Sequence, residues 1–373
     1  MTTEPIVRDF LEMVAAPSHS LKERALADLC LKKLRDLGLE AEEDGAGPLI
    51  GGDAGNIVAR LPGKPGVEPV LFSAHLDRVS NPGVINARVL EAEDRIVSDG
   101  TTILGADDAS GLAAILDGLR RVKEDGVEHG EVELVLTVAE EIGLQGSRRL
   151  DYSKIKSRTA FVLDCAGRLG TIVNRAPTQK TVMITVRGLS SHAGIAPEAG
   201  INAIRVAAVA ISRLPEGRLS PVTTSNFGVI AGGKATNIVC DLVKIKAEAR
   251  SHDAGELDAY CAKLEETFVK AASEAGASAE FDWTLEYETF NVPENDRAVV
   301  LAGKAFDALG VPHSLALTGG GLDGNHFNSN GIRCVGISTG YDHVHTEKEE
   351  QSISQLIGCG KVVAEIIKAA AKA

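Results

Sequence analysis

Acids and histidines placed just beyond apolar stretches carry the chemistry in this sequence. Ser73-Ala74-His75-Leu76-Asp77 directly follows one such stretch. In an extended chain residues two apart point to the same side, so His75 and Asp77 can face one pocket. An aspartate so placed can hold the second imidazole nitrogen and fix the tautomer that binds a metal. The pair alone also fits a structural or surface role. Gly105-Ala106-Asp107-Asp108-Ala109-Ser110-Gly111 reads as a turn leading into a helix. Adjacent carboxylates repel unless a cation or the positive end of a helix compensates, so this pair is either a metal site or a helix cap. Thr137-Val138-Ala139-Glu140-Glu141-Ile142-Gly143 closes the most apolar strand of the chain. Two glutamates at the buried end of a strand are poorly explained as solvated surface. One can bind a metal while the other serves as general base. Asp164 follows Phe161-Val162-Leu163 in the same manner, and His343 and His345 compete for a further position after a strand ending near Ser338.

These residues need a scaffold that brings strand ends together. Short predicted strands at Asn56 to Leu61, Val70 to Ala74, Val132 to Val138 and Ala160 to Leu163 alternate with helical stretches such as Gly111 to Val122. That alternation implies an α/β fold with a mostly parallel mixed sheet flanked by helices, whose functional residues lie at the carboxyl ends of the strands. A different rhythm starts near Lys180. Strand Thr181 to Arg187, helix Gly200 to Leu214, strands Asn226 to Ala231 and Asp241 to Arg250, helix Ala254 to Ala275 and strand Ala279 to Thr289 give the order β-α-β-β-α-β of a ferredoxin-like α+β unit. The expected organisation is a catalytic domain in two parts, 1–178 and 289–373, with 179–288 inserted as a lid and dimerisation domain.

Bulk properties narrow the partners. At 373 residues two domains are the starting expectation. A formal net charge of −13 and the lack of a long basic run argue against a nucleic-acid partner, which needs clustered Lys and Arg. No apolar stretch approaches the roughly 18 residues of a membrane span, so no membrane partner is expected. The first residues lack a signal pattern and the six cysteines form no CxxC pair, so a cytoplasmic protein with reduced thiols is expected.

Taken together, these motifs resemble the dinuclear zinc aminopeptidase, carboxypeptidase and aminoacylase family, and in particular its peptidase T-like branch. Ser98-Asp99-Gly100-Thr101-Thr102-Ile103-Leu104-Gly105-Ala106-Asp107-Asp108 and Glu140-Glu141-Ile142-Gly143-Leu144 are similar to that branch, and the similarity spans essentially the whole chain. The resemblance implies two divalent ions, Zn²⁺ with Co²⁺ or Mn²⁺ as alternatives. Asp107 would bridge them, His75 and Asp164 would hold one, and Glu141 and His345 the other. His345 is preferred over His343 because the family ligand is followed within a few residues by an acid, here Glu349. Asp77 would orient His75, and Glu140 would be the general base toward a water shared by the ions. The family's Asp107-Asp108 peptide is cis.

Gly188-Leu189-Ser190-Ser191-His192-Ala193-Gly194 resembles the family's lid signature, with matches at Gly232-Gly233-Lys234-Ala235-Thr236-Asn237 and at Arg250. By resemblance His192 would stabilise the oxyanion, often across a homodimer, and Asn237 and Arg250 would hold substrate. Gly319-Gly320-Gly321-Leu322-Asp323-Gly324-Asn325 looks like the family's substrate-side loop, which adds Gly320 and Asp323 to the expected substrate contacts. Asp164 is the aminopeptidase-type choice at its position, where carboxypeptidase relatives carry Glu. The resemblance therefore implies a peptidase that removes N-terminal residues from di- or tripeptides. Ala109-Ser110 replaces the lysine that commonly follows the Asp pair in true tripeptidases. An N-acyl-amino-acid amidohydrolase, a carboxypeptidase-type relative and an inactive peptide-binding protein are the alternatives.

Overall fold

The computed structural model describes residues 4–79 and 83–372. The chain divides into two compact units, one of Met1–Ala176 with Phe290–Ala373 and one of Pro177–Thr289.

The first unit is built on a nine-stranded mixed sheet among the described residues. Its order runs Glu40–Glu43, Ile57–Leu61, Val132–Thr137, Val70–His75, Thr159–Cys165, Arg333–Ser338, Thr171–Ala176, Phe290–Asn291, with Ser314–Leu317 also on Thr171–Ala176. The strands Val132–Thr137, Val70–His75, Thr159–Cys165 and Arg333–Ser338 are mutually parallel neighbours. Val-Leu-Phe-Ser-Ala-His and Val-Glu-Leu-Val-Leu-Thr are buried at every position, as central parallel strands covered on both faces require. Stacked Phe72 and Phe161, with ring centroids 5.4 Å apart, tie two of these strands together. Their carboxyl ends, at His75, Thr137, Cys165 and Ser338, lie along one edge, which is where such sheets place their sites.

The helix Ala106–Glu124 packs on the strands Val70–His75 and Thr159–Cys165, and Ile353–Ala370 packs on that helix. The two helices approach so closely that a Cβ on Gly118 would meet Val363 Cγ1 at 2.4 Å. Asp107 and Asp108 lie at the start of Ala106–Glu124 but have non-helical dihedrals, and the peptide between them is cis. A small sheet of Tyr341–Asp342, Glu350–Ser352, Arg95–Val97 and Arg88–Leu90 carries the 343–349 turn. The strand Thr171–Ala176 and this small sheet have no counterpart in the sequence reading. Asn174 and Arg175 interrupt the apolar run of the first, and the strands of the second are two or three residues long.

The second unit is an antiparallel sheet in the order Gly217–Arg218, Thr223–Gly232, Leu242–Ser251, Thr178–Arg187, Ser278–Tyr287, with the helices Ala203–Ser212 and Ala254–Glu274 packed on it and on each other. Leaving aside the two-residue strand, this is ferredoxin-like. Val243, Ile245, Ala247 and Ala249 alternate into its own core, against Leu257, Leu264 and Phe268 of the long helix. Among the described residues no helix is long and apolar enough to cross a membrane.

Candidate metal centre

Three strand ends and one turn converge on Asp107. Its Oδ1 lies 2.9 Å from His75 Nε2, while its Oδ2 lies 3.3 Å from His345 Nε2. His75 Nε2 is also 3.5 Å from Asp164 Oδ1, and His345 Nε2 is 3.0 Å from Glu141 Oε1. Donor atoms of His75, Asp107 and Glu141 lie within 4.8 Å of one another, as do those of His75, Glu140 and Asp164 and those of Asp107, Asp108 and Asp164. Imidazole nitrogens and carboxylate oxygens without a thiolate suit zinc, cobalt or manganese, so this donor set fits a pair of divalent ions. His343 takes no part; its main chain bonds to Asp342.

The electrostatics point the same way. Burial, reinforced by the charge of Asp164, pushes the Glu140 carboxyl well above its usual range. Burial likewise raises Asp164 to about 7 and lifts Asp108 well above the ordinary carboxylate value, with Asp164 and Asp107 adding to the effect. Burial opposes protonation of His75, but the charge of Asp164 and the bond to Asp107 hold its pKa well above normal. Hydrogen bonds to Asp107 and Glu141 raise His345 to about 10. Asp107 stays ionised between two imidazoles that hold their protons while the acids around it are pushed up, so cations could take the place of those protons.

The turns that carry these groups are held by other buried acids. Asp77 differs in detail from the sequence expectation. His75 Nδ1 bonds at 2.8 Å to the main-chain carbonyl of Asp77, and the Asp77 carboxylate lies 3.6 Å away. That carboxylate is occupied elsewhere, accepting from Glu140 N at 2.8 Å, Glu141 N at 3.2 Å and Ser20 Oγ at 2.6 Å. The carbonyl still selects the tautomer that leaves Nε2 toward Asp107. Glu349, 1% exposed, accepts from the main chain of Leu104, Gly105 and Asp107 at 2.9, 2.7 and 3.1 Å. Tyr341 donates to Asp164 at 3.4 Å. Sequence reasoning named neither Tyr341 nor Glu23, which accepts from Ala139 N at 3.1 Å, and used Glu349 only as a spacing marker.

Asp323, expected among the substrate contacts, is enclosed: it is 1% exposed and accepts a hydrogen bond from Thr137 Oγ1 at the end of the Val132–Thr137 strand. Gly320 is half-buried and its N–H donates to Thr318 Oγ1 at 3.1 Å. In the second unit His192 is exposed and bridges to Ile238, and Ala193 N donates to the Asn237 carbonyl at 2.9 Å, which brings His192 and Asn237 side by side. Arg250 is half-buried and bonds through its guanidinium to Glu248 at 3.0 and 3.1 Å.

Residues 178–276 match the peptidase dimerisation domain family and residues 56–187 match peptidase family M28. An aminopeptidase PepT of known structure from Bacillus cereus is 39% identical; the match covers 100% of this chain and 99% of that one, with a TM-score of 0.88. A tripeptidase structure from Staphylococcus aureus is 35% identical, with 99% and 98% covered and a TM-score of 0.93. The Bacillus subtilis protein YqjE is 39% identical over 367 residues, 98% of each chain. The chain belongs to the peptidase T-like branch of the dinuclear zinc aminopeptidase, carboxypeptidase and aminoacylase family.

Proposed function

We propose that the protein is a cytoplasmic, zinc-dependent exopeptidase that removes N-terminal residues from di- or tripeptides. The observation that carries this reading is the position of Asp107, whose two carboxylate oxygens face two different imidazoles, as a ligand shared by two ions must. His75 and Asp164 would complete one ion's shell, and Glu141 and His345 the other's. When bound, the ions would lower the pKa of water and offset negative charge in the transition state. Glu140 is 9% exposed and would act as general base toward the attacking water and then return the proton to the leaving amine. Asp77 fixes the tautomer of His75 and, through Glu140 N and Glu141 N, the turn that carries the base. All six cysteines are free, which fits a reducing compartment.

His192 would donate to the developing oxyanion, with Asn237 and Arg250 holding substrate, from the second unit of a partner subunit in a homodimer. Support for the dimer comes from the strand Thr223–Gly232. Among the described residues its outer edge pairs with Gly217–Arg218 only at Ser225 and Thr224, and its farther part exposes Val229 and Ile230 at 57% and 56%. An open apolar edge of this kind invites a second copy.

Hydrolysis of free and N-acetylated di- and tripeptides by metal-free enzyme, before and after addition of Zn²⁺, Co²⁺ or Mn²⁺, tests the proposal. Activity is expected only with metal and on peptides with a free amino terminus. Full activity in a verified metal-free sample would overturn the mechanism, and cleavage confined to acetylated substrates would make the protein an N-acyl-amino-acid amidohydrolase.

A further inference from the structure

Three consecutive peptide N–H groups, those of Ala139, Glu140 and Glu141, are taken up by two buried carboxyls from other segments. Asp77 accepts the second and third, and Glu23 accepts the first at 3.1 Å. Successive main-chain N–H groups around a left-handed residue form a concavity that favours anionic groups, and Ala139 has φ 52°. Glu23 occupies the N-cap position of the helix Arg24–Asp36 without capping it. Its side chain turns inward to 0% exposure, where Oε1 also accepts from Leu21 N at 2.8 Å and Oε2 is buried without a partner. Burying an acid this incompletely satisfied is unfavourable, and it makes no capping bond to its own helix. The stabilising contact is at the turn, where the Ala139 N–H would otherwise be left unpaired.

The same loop grips the neighbouring strand end. Ser18 Oγ donates to the Leu76 carbonyl, Arg78 N donates to the Ser18 carbonyl at 2.8 Å, and Ser20 Oγ reaches Asp77. Residues 18–23 therefore hold both turns of the site from behind, the one with His75 and the one with Glu140 and Glu141. We infer that Glu23 is a positioning residue: its carboxyl and that of Asp77 together clamp the Ala139-Glu140-Glu141 main chain and set the direction in which the Glu140 side chain leaves the strand. This inference rests on the reading of Glu140 as the general base.

The test compares Glu23→Gln, Glu23→Asp and Glu23→Ala holoenzymes at saturating metal, each also combined with Glu140→Gln. The glutamine keeps an oxygen that can accept from Leu21 and Ala139, so kcat should stay within about threefold of wild type. The aspartate keeps the charge but is a methylene too short. It and the alanine should lower kcat by roughly 10- to 100-fold, the usual effect of losing an outer-shell contact, with KM within about twofold and both ions retained. In the Glu140→Gln background the same changes should alter the residual rate by less than about twofold, because a residue that acts through the base has nothing left to position.

A wild-type kcat in both the aspartate and alanine variants would overturn the inference. So would a glutamine variant as impaired as the aspartate, or an equal fold-loss with and without Glu140. If the alanine variant does not fold, the order of the glutamine and aspartate variants still decides. Wild-type activity in Glu140→Gln alone would instead sink the general-base reading, a failure distinct from that of Glu23.

Discussion

Glu349 ties the turn of His345 to the main chain at Asp107, so removing it should loosen both sides of the proposed second metal site. Its Oε2 accepts from Leu104 N and Gly105 N and its Oε1 from Asp107 N, four residues after His345 in the chain. Glu349→Ala leaves three buried N–H groups without an acceptor, each at about 1–3 kcal/mol. Water entering the gap recovers part of this. The native carboxyl also carries a desolvation cost, visible in the upward push that burial gives its pKa. The net loss should be about 2–4 kcal/mol, or roughly 3–5 °C in Tm for a protein of this size. Glu349→Gln keeps one accepting oxygen for Leu104 and Gly105 but turns an amide N–H₂ toward Asp107 N, so about half of that loss is expected. Affinity for the ion nearer His345 should fall by about 10- to 100-fold, as for other outer-shell losses. Calorimetric melting and competition against a chelating indicator read the two effects separately. Unchanged melting and unchanged metal affinity in both variants would refute the clamp.

Further consequences can be checked independently. Gly111→Ala should fold poorly or lose the metal site, because its Cβ would meet the Leu163 carbonyl at 2.2 Å and Asp108 Oδ1 at 2.5 Å; a soluble variant with wild-type metal content would contradict this contact. Burial, and then the charge of Arg148, lowers the pKa of His326 to about 4. A depressed histidine contributes stability above its unfolded value of about 6.5 and loses it as pH falls through the folded value, here up to about 3 kcal/mol. His326→Gln should flatten the unfolding free energy between pH 7 and pH 4, and a difference from wild type that does not vary with pH would refute the assignment. Inactive His192→Ala and Glu140→Gln subunits, mixed under conditions of proven exchange, should recover part of the activity, since each mixed dimer has one intact site. No recovery would place His192 in its own subunit's chemistry or make the protein a monomer.

The candidate ligands were legible because the chain delivers them directly after buried apolar strands. His75 ends Val70–His75, Glu140 and Glu141 follow Val132–Thr137 at a short interval, and Asp164 lies in the last turns of Thr159–Cys165. The apolar runs that located the strands therefore pointed to these residues, and the family resemblance supplied their roles. The supporting shell was not legible. Glu23 reaches Ala139 across 116 residues and Glu349 reaches Leu104 across 245, from loops whose composition shows no periodicity. Asp77 was read from spacing as the partner of the imidazole, but spacing could not show that its carboxylate would be drawn to two main-chain N–H groups and leave its carbonyl to hold the ring. Likewise the glycine loop around Asp323 was read by resemblance as a substrate-side loop, and only packing shows this acid bonded to Thr137 and enclosed.

In this mechanism Glu140 carries a proton and is not itself a ligand, although one of its oxygens lies within 4.8 Å of donor atoms of His75 and Asp164. Metal analysis combined with steady-state kinetics on Glu140→Gln decides the matter. Both ions should remain bound while kcat falls by about 10²- to 10⁴-fold, the usual contribution of a positioned general base. Loss of an ion would make Glu140 a ligand, and an unchanged kcat with both ions present would contradict the mechanism outright.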